Sequence, residues 1–172
     1  MRRAARWEAL RELFLPRSPL PRFAAALLQP PRQPRLLYVV DDDWATRESI
    51  CEQLQLVGAE VERFDSELDL LSAVAHRPPA AVLLDVVLER VDGIRLCRAL
   101  VSHPATRGAP VYLMSGMPGA TMRRQALEAG ATAFLTKPLD SAAFALLSQR
   151  HGLSTPGPDY RIGTPASSHT AA

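Results

Sequence analysis

Six polar residues whose types suit phosphoryl chemistry stand at intervals along this chain. Three consecutive aspartates, Asp41 to Asp43, end an apolar run, and three later runs lead to Asp85, Ser115 and Lys137. Adjacent carboxylates repel one another, and a hard cation such as Mg²⁺, which prefers oxygen ligands, is the simplest partner to relieve them. The cluster therefore predicts a magnesium site.

The same residues are suited to transferring a phosphoryl group. A carboxylate can act as the nucleophile, and catalysis of the transfer is mainly positioning and neutralisation of developing charge. This requires a metal bridge, a cation and a hydroxyl or amide donor around the phosphoryl oxygens. The aspartates, Lys137 and Ser115 supply these groups, and Lys137 is the only lysine of the chain.

Alternating strands and helices would place these residues together. Short apolar runs, too short for helices, alternate with segments of helical periodicity, which is typical of a parallel sheet covered by helices. Parallel strands share one carboxyl edge, where ligands bind in open α/β sheets, so the polar residues should converge on one crevice. We predict strands at 36–40, 60–64, 80–84, 110–114 and 133–136, and helices at about 46–57, 66–76, 92–100, 120–129 and 141–150.

Three local patterns give sharper expectations. Thr46 or a neighbouring aspartate is expected to cap the first helix. In the second helix, one face is predicted to hold Leu68, Leu71 and Val74 or Ala75. The second apolar run alternates only weakly, as expected for a strand at the edge of a sheet.

The composition predicts one globular core between two extensions. Of the 172 residues, 47% are hydrophobic and 22% charged, which is enough for one full core. Residues 1–35 carry eight arginines, two glutamates and six of the fifteen prolines. We predict a basic extension at 1–35, either a frayed arm or a short helix at Ala4 to Leu15, and a flexible tail at 152–172. A start assigned too far upstream is the other explanation of the extension.

Cysteine usage and hydropathy point to a cytoplasmic protein. Cys51 and Cys97 lack the spacing of a disulfide framework or a zinc site. No apolar run approaches the roughly 18 to 20 residues of a transmembrane helix. We therefore expect a cytoplasmic protein without a membrane span. The histidines are interpreted as surface or loop residues: His76, His103, His151 and His169.

The motifs, taken in order, resemble the receiver domain of bacterial two-component response regulators. The resemblance covers about 36–151 and rests on VVDDD followed by Arg47, VLLDVVLERVDG, the strand VYLMSG, and GATAFLTKP. It implies a flavodoxin-like (βα)5 sandwich with a five-stranded parallel sheet. It also implies a phosphorylation-controlled signalling switch that catalyses only its own phosphoryl transfer and dephosphorylation and is not otherwise an enzyme.

The resemblance assigns the metal site and the phosphoacceptor. Asp85 resembles the phosphoacceptor, Asp42 the direct Mg²⁺ ligand, and Asp41 its partner acting on the metal through water. Asp85 and the backbone carbonyl of Val87 would complete the metal site. A register in which Asp42 and Asp43 form the pair stays open.

The resemblance also assigns the switch residues. Ser115 resembles the hydroxyl that binds a phosphoryl oxygen and Lys137 the lysine typical of the family. Phe134 resembles the switch aromatic. Pro138 would follow a cis peptide bond, which would turn the chain sharply and aim Lys137 inward.

The implied partners are proteins. A histidine kinase or phosphotransfer protein would donate the phosphoryl group, and an unknown output protein would contact the face formed by the fourth helix, fifth strand and fifth helix. A homodimer that forms on phosphorylation is another option. Because only 22 residues follow Arg150, fewer than the roughly 50 of a small domain, a dedicated DNA-binding domain is not expected.

Three positions depart from the family pattern. Glu89 stands four residues after Asp85, where family members often have proline, so the loop is expected to be less rigid and more charged. Val87 and Met117 are apolar where some relatives place groups that position an attacking water. These departures predict slow self-dephosphorylation.

Two other functions are weighed against the receiver. One is a haloacid-dehalogenase-like phosphatase, in which Asp41 and Asp43 fit the pair of a DxDx[TV] pattern, although Ala45 occupies the next required position. The other is a receiver-like binding module that signals without phosphate. The residue that carries the acyl phosphate distinguishes a receiver from a phosphatase: Asp85 in a receiver and Asp41 in a phosphatase.

Overall fold

The computed structural model describes residues 35–106 and 108–153, and in this part of the chain five strands form one parallel sheet. The spatial order is β2-β1-β3-β4-β5, so β2 lies at an edge as predicted, and this five-stranded parallel sheet confirms the predicted fold class. Residues 1–34 of the predicted extension at 1–35, residues 154–172 of the predicted tail at 152–172, and His169 lie outside the described residues. The strands are β1 Leu36–Val40, β2 Glu60–Phe64, β3 Ala81–Asp85, β4 Val111–Ser115 and β5 Ala133–Thr136.

Five α-helices connect and follow the strands, and side chains cap the start of four of them. The side chains that accept a backbone N–H at these starts are those of Asp43, Ser66, Asp92 and Asp140. Asp43 therefore caps the first helix, and Thr46 supplies the N–H. The helices are α1 Trp44–Leu56, α2 Glu67–His76, α3 Gly93–Ser102, α4 Ala120–Glu128 and α5 Ser141–His151, with a short 3₁₀ helix at Pro104–Thr106.

Both faces of the sheet are buried. Side chains alternate across a strand, so Tyr38 and Val40 of β1 join one core cluster while Leu37 and Val39 join the other. The first cluster contains the buried side chains of α2, α3 and α4, and the second contains those of α1 and α5. The central strands β1, β3 and β4 are buried along their whole length, which explains why their sequences are nearly continuous apolar runs.

The predicted face of α2 is partly wrong. Leu70 and Val74 are the fully buried residues of this helix, whereas Leu68 is 80% exposed. Because apolar residues stand at positions 68, 70 and 71, more than one helical face satisfies the periodicity. Packing against the sheet selects the face that contains Leu70.

His151 is also placed differently from the prediction. It ends α5, and its Nε2 lies 2.9 Å from the hydroxyl of Tyr112 on β4, with the two rings meeting edge to face. This partly buried contact makes the surface interpretation wrong for His151, whereas His76 is exposed as predicted. No helix within the described ranges is both long and apolar enough to cross a membrane.

The two cysteines are separate buried thiols. Cys51 belongs to the core cluster on one face of the sheet and Cys97 to the cluster on the other face. Burial raises the pKa of each thiol to about 11, because a thiolate is poorly solvated there. Both thiols therefore act as core residues.

Candidate functional site

Four adjacent strands deliver polar residues to one edge of the sheet. Asp41 follows β1 directly and is fully buried, Asp85 is the last residue of β3, and Ser115 is the last residue of β4. Lys137 follows β5. Buried apolar runs hold the strands in the sheet, so the first polar residue after each run emerges at the shared carboxyl edge.

The acidic residues form a compact group that suits a divalent cation. One carboxylate oxygen from each of Asp41, Asp42 and Asp85 lies within 4.8 Å of the others. Oxygen donors grouped in this way are what Mg²⁺ prefers, so the residues present fit the metal that the sequence predicts. Asp43 instead turns its Oδ1 to the N–H of Thr46 at 2.7 Å. This geometry favours the register with Asp41 and Asp42 as the metal pair.

Lys137 links two of these carboxylates. Its Nζ lies 2.6 Å from Oδ2 of Asp41 and 2.9 Å from Oδ2 of Asp85. Burial alone would lower the pKa of Lys137, but the two carboxylates outweigh it and the pKa is raised. Burial raises the pKa of Asp41, and the ammonium of Lys137 only partly offsets this effect. The ammonium therefore stays charged beside Asp85.

The backbone aims Lys137 at the site. The N–H of Lys137 donates to the carbonyl of Ser115 at 2.9 Å, and the peptide bond to Pro138 is cis, as predicted. The hydroxyl oxygen of Ser115 accepts a hydrogen bond of 3.2 Å from the N–H of Met117. The ends of β4 and β5 thus place the hydroxyl and the ammonium at the same edge.

Phe134 is buried on β5, one strand away from Ser115. The residue is 5% exposed and lies in the core cluster that also contains residues of α3 and α4. The guanidinium carbon of Arg123 on α4 lies 5.4 Å from the ring centroid, within the range of a cation–π contact. Sequence reasoning did not identify Arg123, because nothing in the pattern of α4 pairs it with an aromatic residue on β5.

A second arginine braces the acidic turn. The Nη1 of Arg47 on α1 donates to the backbone carbonyl of Asp41 at 2.5 Å. The sequence motif included Arg47, but the motif did not predict this contact. The arginine fixes the chain at the start of the acidic cluster.

Two loops carry the departures from the family pattern, with Val87 and Glu89 after β3 and Met117 after β4. The side chain of Val87 is 59% exposed and that of Met117, in the loop after β4, is 80% exposed. The N–H of Glu89 donates to Oδ2 of Asp42 at 3.0 Å. The expectation of a looser loop missed this bond, and the only signal for it in the sequence is the absence of proline at position 89.

Comparison with known proteins gives the family. A sequence profile described as the response regulator receiver domain matches residues 37–147. The chain belongs to this receiver domain family. The match confirms the predicted resemblance and favours the receiver over the phosphatase, whose second acid, Asp43, is engaged in capping α1.

Individual relatives agree with the family profile. The response regulator MprA of Mycobacterium sp. (strain KMS) is 34% identical over 133 residues, which cover 77% of this chain and 56% of MprA. The response regulator PleD of Caulobacter vibrioides is 38% identical over 104 residues, 60% of this chain and 23% of PleD. The chain therefore spans about half, or less, of the length of these relatives.

A solved structure shows the same receiver architecture. A response regulator structure from Chloroflexus aurantiacus J-10-fl aligns with a TM-score of 0.64 at 29% identity, over 69% of this chain and 97% of that chain. This likeness agrees with the family profile and with the parallel sheet described above.

Proposed function

We propose that Asp85 accepts a phosphoryl group from a histidine kinase or phosphotransfer protein in a Mg²⁺-dependent reaction. The placement of Asp85 carries this proposal: it ends a central strand, lies 2.9 Å from the Lys137 ammonium, and shares the acidic group with Asp41 and Asp42. An oxygen of Asp85 attacks phosphorus, and the bond from phosphorus to the donor nitrogen breaks. The protein works in the cytoplasm, where its donor is available.

Each neighbour has a role in this transfer. Asp42 and Asp85 would hold the metal directly, together with the backbone carbonyl of Val87, and Asp41 would act on it through water. The metal supplies charge neutralisation at the phosphoryl oxygens. Lys137 already faces Asp85, so its ammonium is placed to stabilise a negatively charged oxygen there.

The phosphoryl group then acts as a switch. The new anion draws the Ser115 hydroxyl and the Lys137 ammonium inward, and Phe134 follows, which shifts the population of states of the α4-β5-α5 face. Ser115 is buried at the end of β4, next to β5, which carries Phe134. The output is a protein contact on this face, with an unidentified output protein or with a second phosphorylated copy.

Phosphotransfer from candidate kinases to the full-length chain tests the proposal, with Mg²⁺ present or chelated. Asp85→Asn is expected to abolish labelling, and Asp43→Asn, the matched control, to retain it, because Asp43 lies outside the metal group. Ser115→Ala should be labelled but should switch weakly.

Persistent labelling of Asp85→Asn by a kinase or a small phosphodonor would count against the assignment, and an acyl phosphate on Asp41 would indicate the phosphatase. If neither kinases nor acetyl phosphate with Mg²⁺ label the wild type, the domain signals without phosphate.

A further inference from the structure

The loop between β3 and α3 touches the acidic group through its backbone. The N–H of Glu89 donates a hydrogen bond of 3.0 Å to Oδ2 of Asp42, which lies 47 residues earlier in the chain. The loop is closed at its base, where Val87 pairs with Asp92. Asp42 is therefore held by the loop that follows the phosphoacceptor.

This bond uses one oxygen of Asp42 and leaves the other available. An ionised carboxylate offers two oxygens and about four acceptor positions, so a single N–H does not prevent it from binding a metal. Hydrogen bonds to charged acceptors are also stronger than those between neutral groups. The orientation of the Asp42 carboxylate is thus set before a cation binds.

The bond depends on the backbone of position 89. Proline, the residue that family members often have there, has no N–H and could not donate. The Glu89 side chain is exposed, and the bond to Asp42 comes from the main chain. A position that departs from the family pattern therefore gives this chain a contact with the acidic group.

We propose that the Glu89 N–H is a positioning group for the magnesium site: it orients Asp42, increases the affinity for Mg²⁺ and couples metal binding to the β3–α3 loop. The inference rests on the proposed function, because it takes Asp42 as a metal ligand. Since such coupling is reciprocal, Mg²⁺ must also protect the Glu89 N–H from hydrogen exchange.

Two separate substitutions of Glu89 isolate the contribution of its N–H. Glu89→Pro removes both the side-chain charge and the N–H, whereas Glu89→Ala removes only the charge and serves as the reference. Mg²⁺ is titrated into each full-length protein, and its Kd is measured from amide NMR shifts and from Trp44 fluorescence in a Trp7→Phe background. We expect Glu89→Pro to bind Mg²⁺ about threefold to tenfold more weakly than Glu89→Ala. Equal affinities within about twofold, or tighter binding by Glu89→Pro, overturn the inference.

Hydrogen exchange tests the bond without introducing proline. In Asp42→Ala the Glu89 N–H loses its acceptor. We therefore expect the hydrogen-exchange rate of this N–H to rise at least about tenfold above that of the wild type. In the wild type, Mg²⁺ should slow it. Exchange at Glu89 that is unaffected by Asp42→Ala overturns the inference, even if Glu89→Pro distorts the loop.

The outcomes separate this inference from the proposed function. If the wild type binds Mg²⁺ and is labelled at Asp85, but Glu89→Pro matches Glu89→Ala, only the positioning role of Glu89 is wrong. If the wild type binds no Mg²⁺ and is not labelled, the proposed function fails and the inference falls with it.

Discussion

Two exposed apolar side chains at the site bear on how long a phosphoryl group would persist. Val87 and Met117 stand in the loops after β3 and β4. The Val87 side chain has no hydrogen-bonding group, and the thioether of Met117 is only a weak acceptor. Hydrolysis of an acyl phosphate requires an attacking water in line with the phosphorus atom. We therefore expect the phosphorylated state proposed above to be long-lived.

We predict that Val87→Asn shortens the lifetime of the acyl phosphate about tenfold, because its amide can orient water. The lifetime is measured by following the decay of phosphorylated protein after the donor is removed. Leu68→Asn is the matched control, since Leu68 is exposed on α2 and lies outside the site. A wild-type half-life of seconds that Val87→Asn does not change would contradict the prediction.

Asp43 caps α1 and lies outside the acidic group that fits a metal. The N–H of Thr46 donates to its carboxylate. The Thr46 side chain first, and then this N–H, lower the pKa of Asp43 by hydrogen bonding to the ionised carboxylate. We predict that Asp43→Ala lowers the melting temperature by a few degrees, because α1 loses its N-cap, and leaves the Mg²⁺ affinity of the protein nearly unchanged. Thermal unfolding and Mg²⁺ titration check the two parts. A large loss of Mg²⁺ affinity would restore the alternative register.

At the scale of elements, the start of α3 depends on a glycine. A Cβ at Gly93 would lie 2.0 Å from the carbonyl oxygen of Asp85, which is backbone and cannot move cheaply. The close approach lets α3 begin directly behind Asp85. Glycine at this position therefore fixes the spacing between β3 and α3.

We predict that Gly93→Ala destabilises the domain by about 2 kcal/mol, because overpacking outweighs the gain in helix propensity. Denaturant unfolding measures the change. Gly116→Ala is the control, because a Cβ at Gly116 meets no atom within 4 Å. Equal stabilities of the two variants would show that the backbone at Gly93 yields more easily than its geometry implies.

Strand positions were predictable because the central strands are buried on both faces. Such strands must be nearly continuous apolar runs, and a polar residue marks the end of each: Asp41 after β1, Asp85 in β3 and Ser115 in β4. The bounds of β1 and of the two edge strands, β2 and β5, agree with prediction, and those of β3 and β4 differ by one residue. The same reasoning placed Asp85 and Lys137 at one edge. Burial pattern thus contained most of the information on the sheet and on the location of the site.

Contacts between distant segments were not predictable. The face of α2 was ambiguous because Leu68, Leu70 and Leu71 each fit a helical stripe, and only the sheet selects Leu70. The bond from the Glu89 N–H to Asp42 involves a main-chain donor, which every residue except proline has, so the side-chain pattern does not reveal it.

At the scale of the whole molecule, the end of α5 gives stability a dependence on pH. Burial, followed by the nearby charges of Arg150 and Arg35, lowers the pKa of His151 below its usual value of 6.5. Below pH 6.5 the unfolded chain therefore binds a proton that the folded domain resists. The contribution of His151 to stability should be fully present above pH 6.5 and should fall as the pH drops from there through the lowered pKa.

We predict that His151→Gln makes the loss of stability between pH 7 and 5 shallower, because glutamine does not titrate. Thermal unfolding at several pH values measures the slope. His76→Gln, at the exposed end of α2, is the control substitution. Identical slopes for His151→Gln and the wild type would contradict a role for His151.

The contact of Lys137 with Asp41 and Asp85 also determines the electrical balance of the site. The carboxylates of Asp41, Asp42 and Asp85 and the ammonium of Lys137 lie in a small volume. Three negative charges and one positive charge leave two negative charges uncompensated. A divalent cation would make the resting site neutral. An acyl phosphate carries about one more negative charge than the carboxylate it replaces, so the phosphorylated site would lose neutrality. The signal from a phosphorylated domain would then be an excess of roughly one elementary charge at the site. The Ser115 hydroxyl and the α4-β5-α5 face are the parts proposed to respond to it.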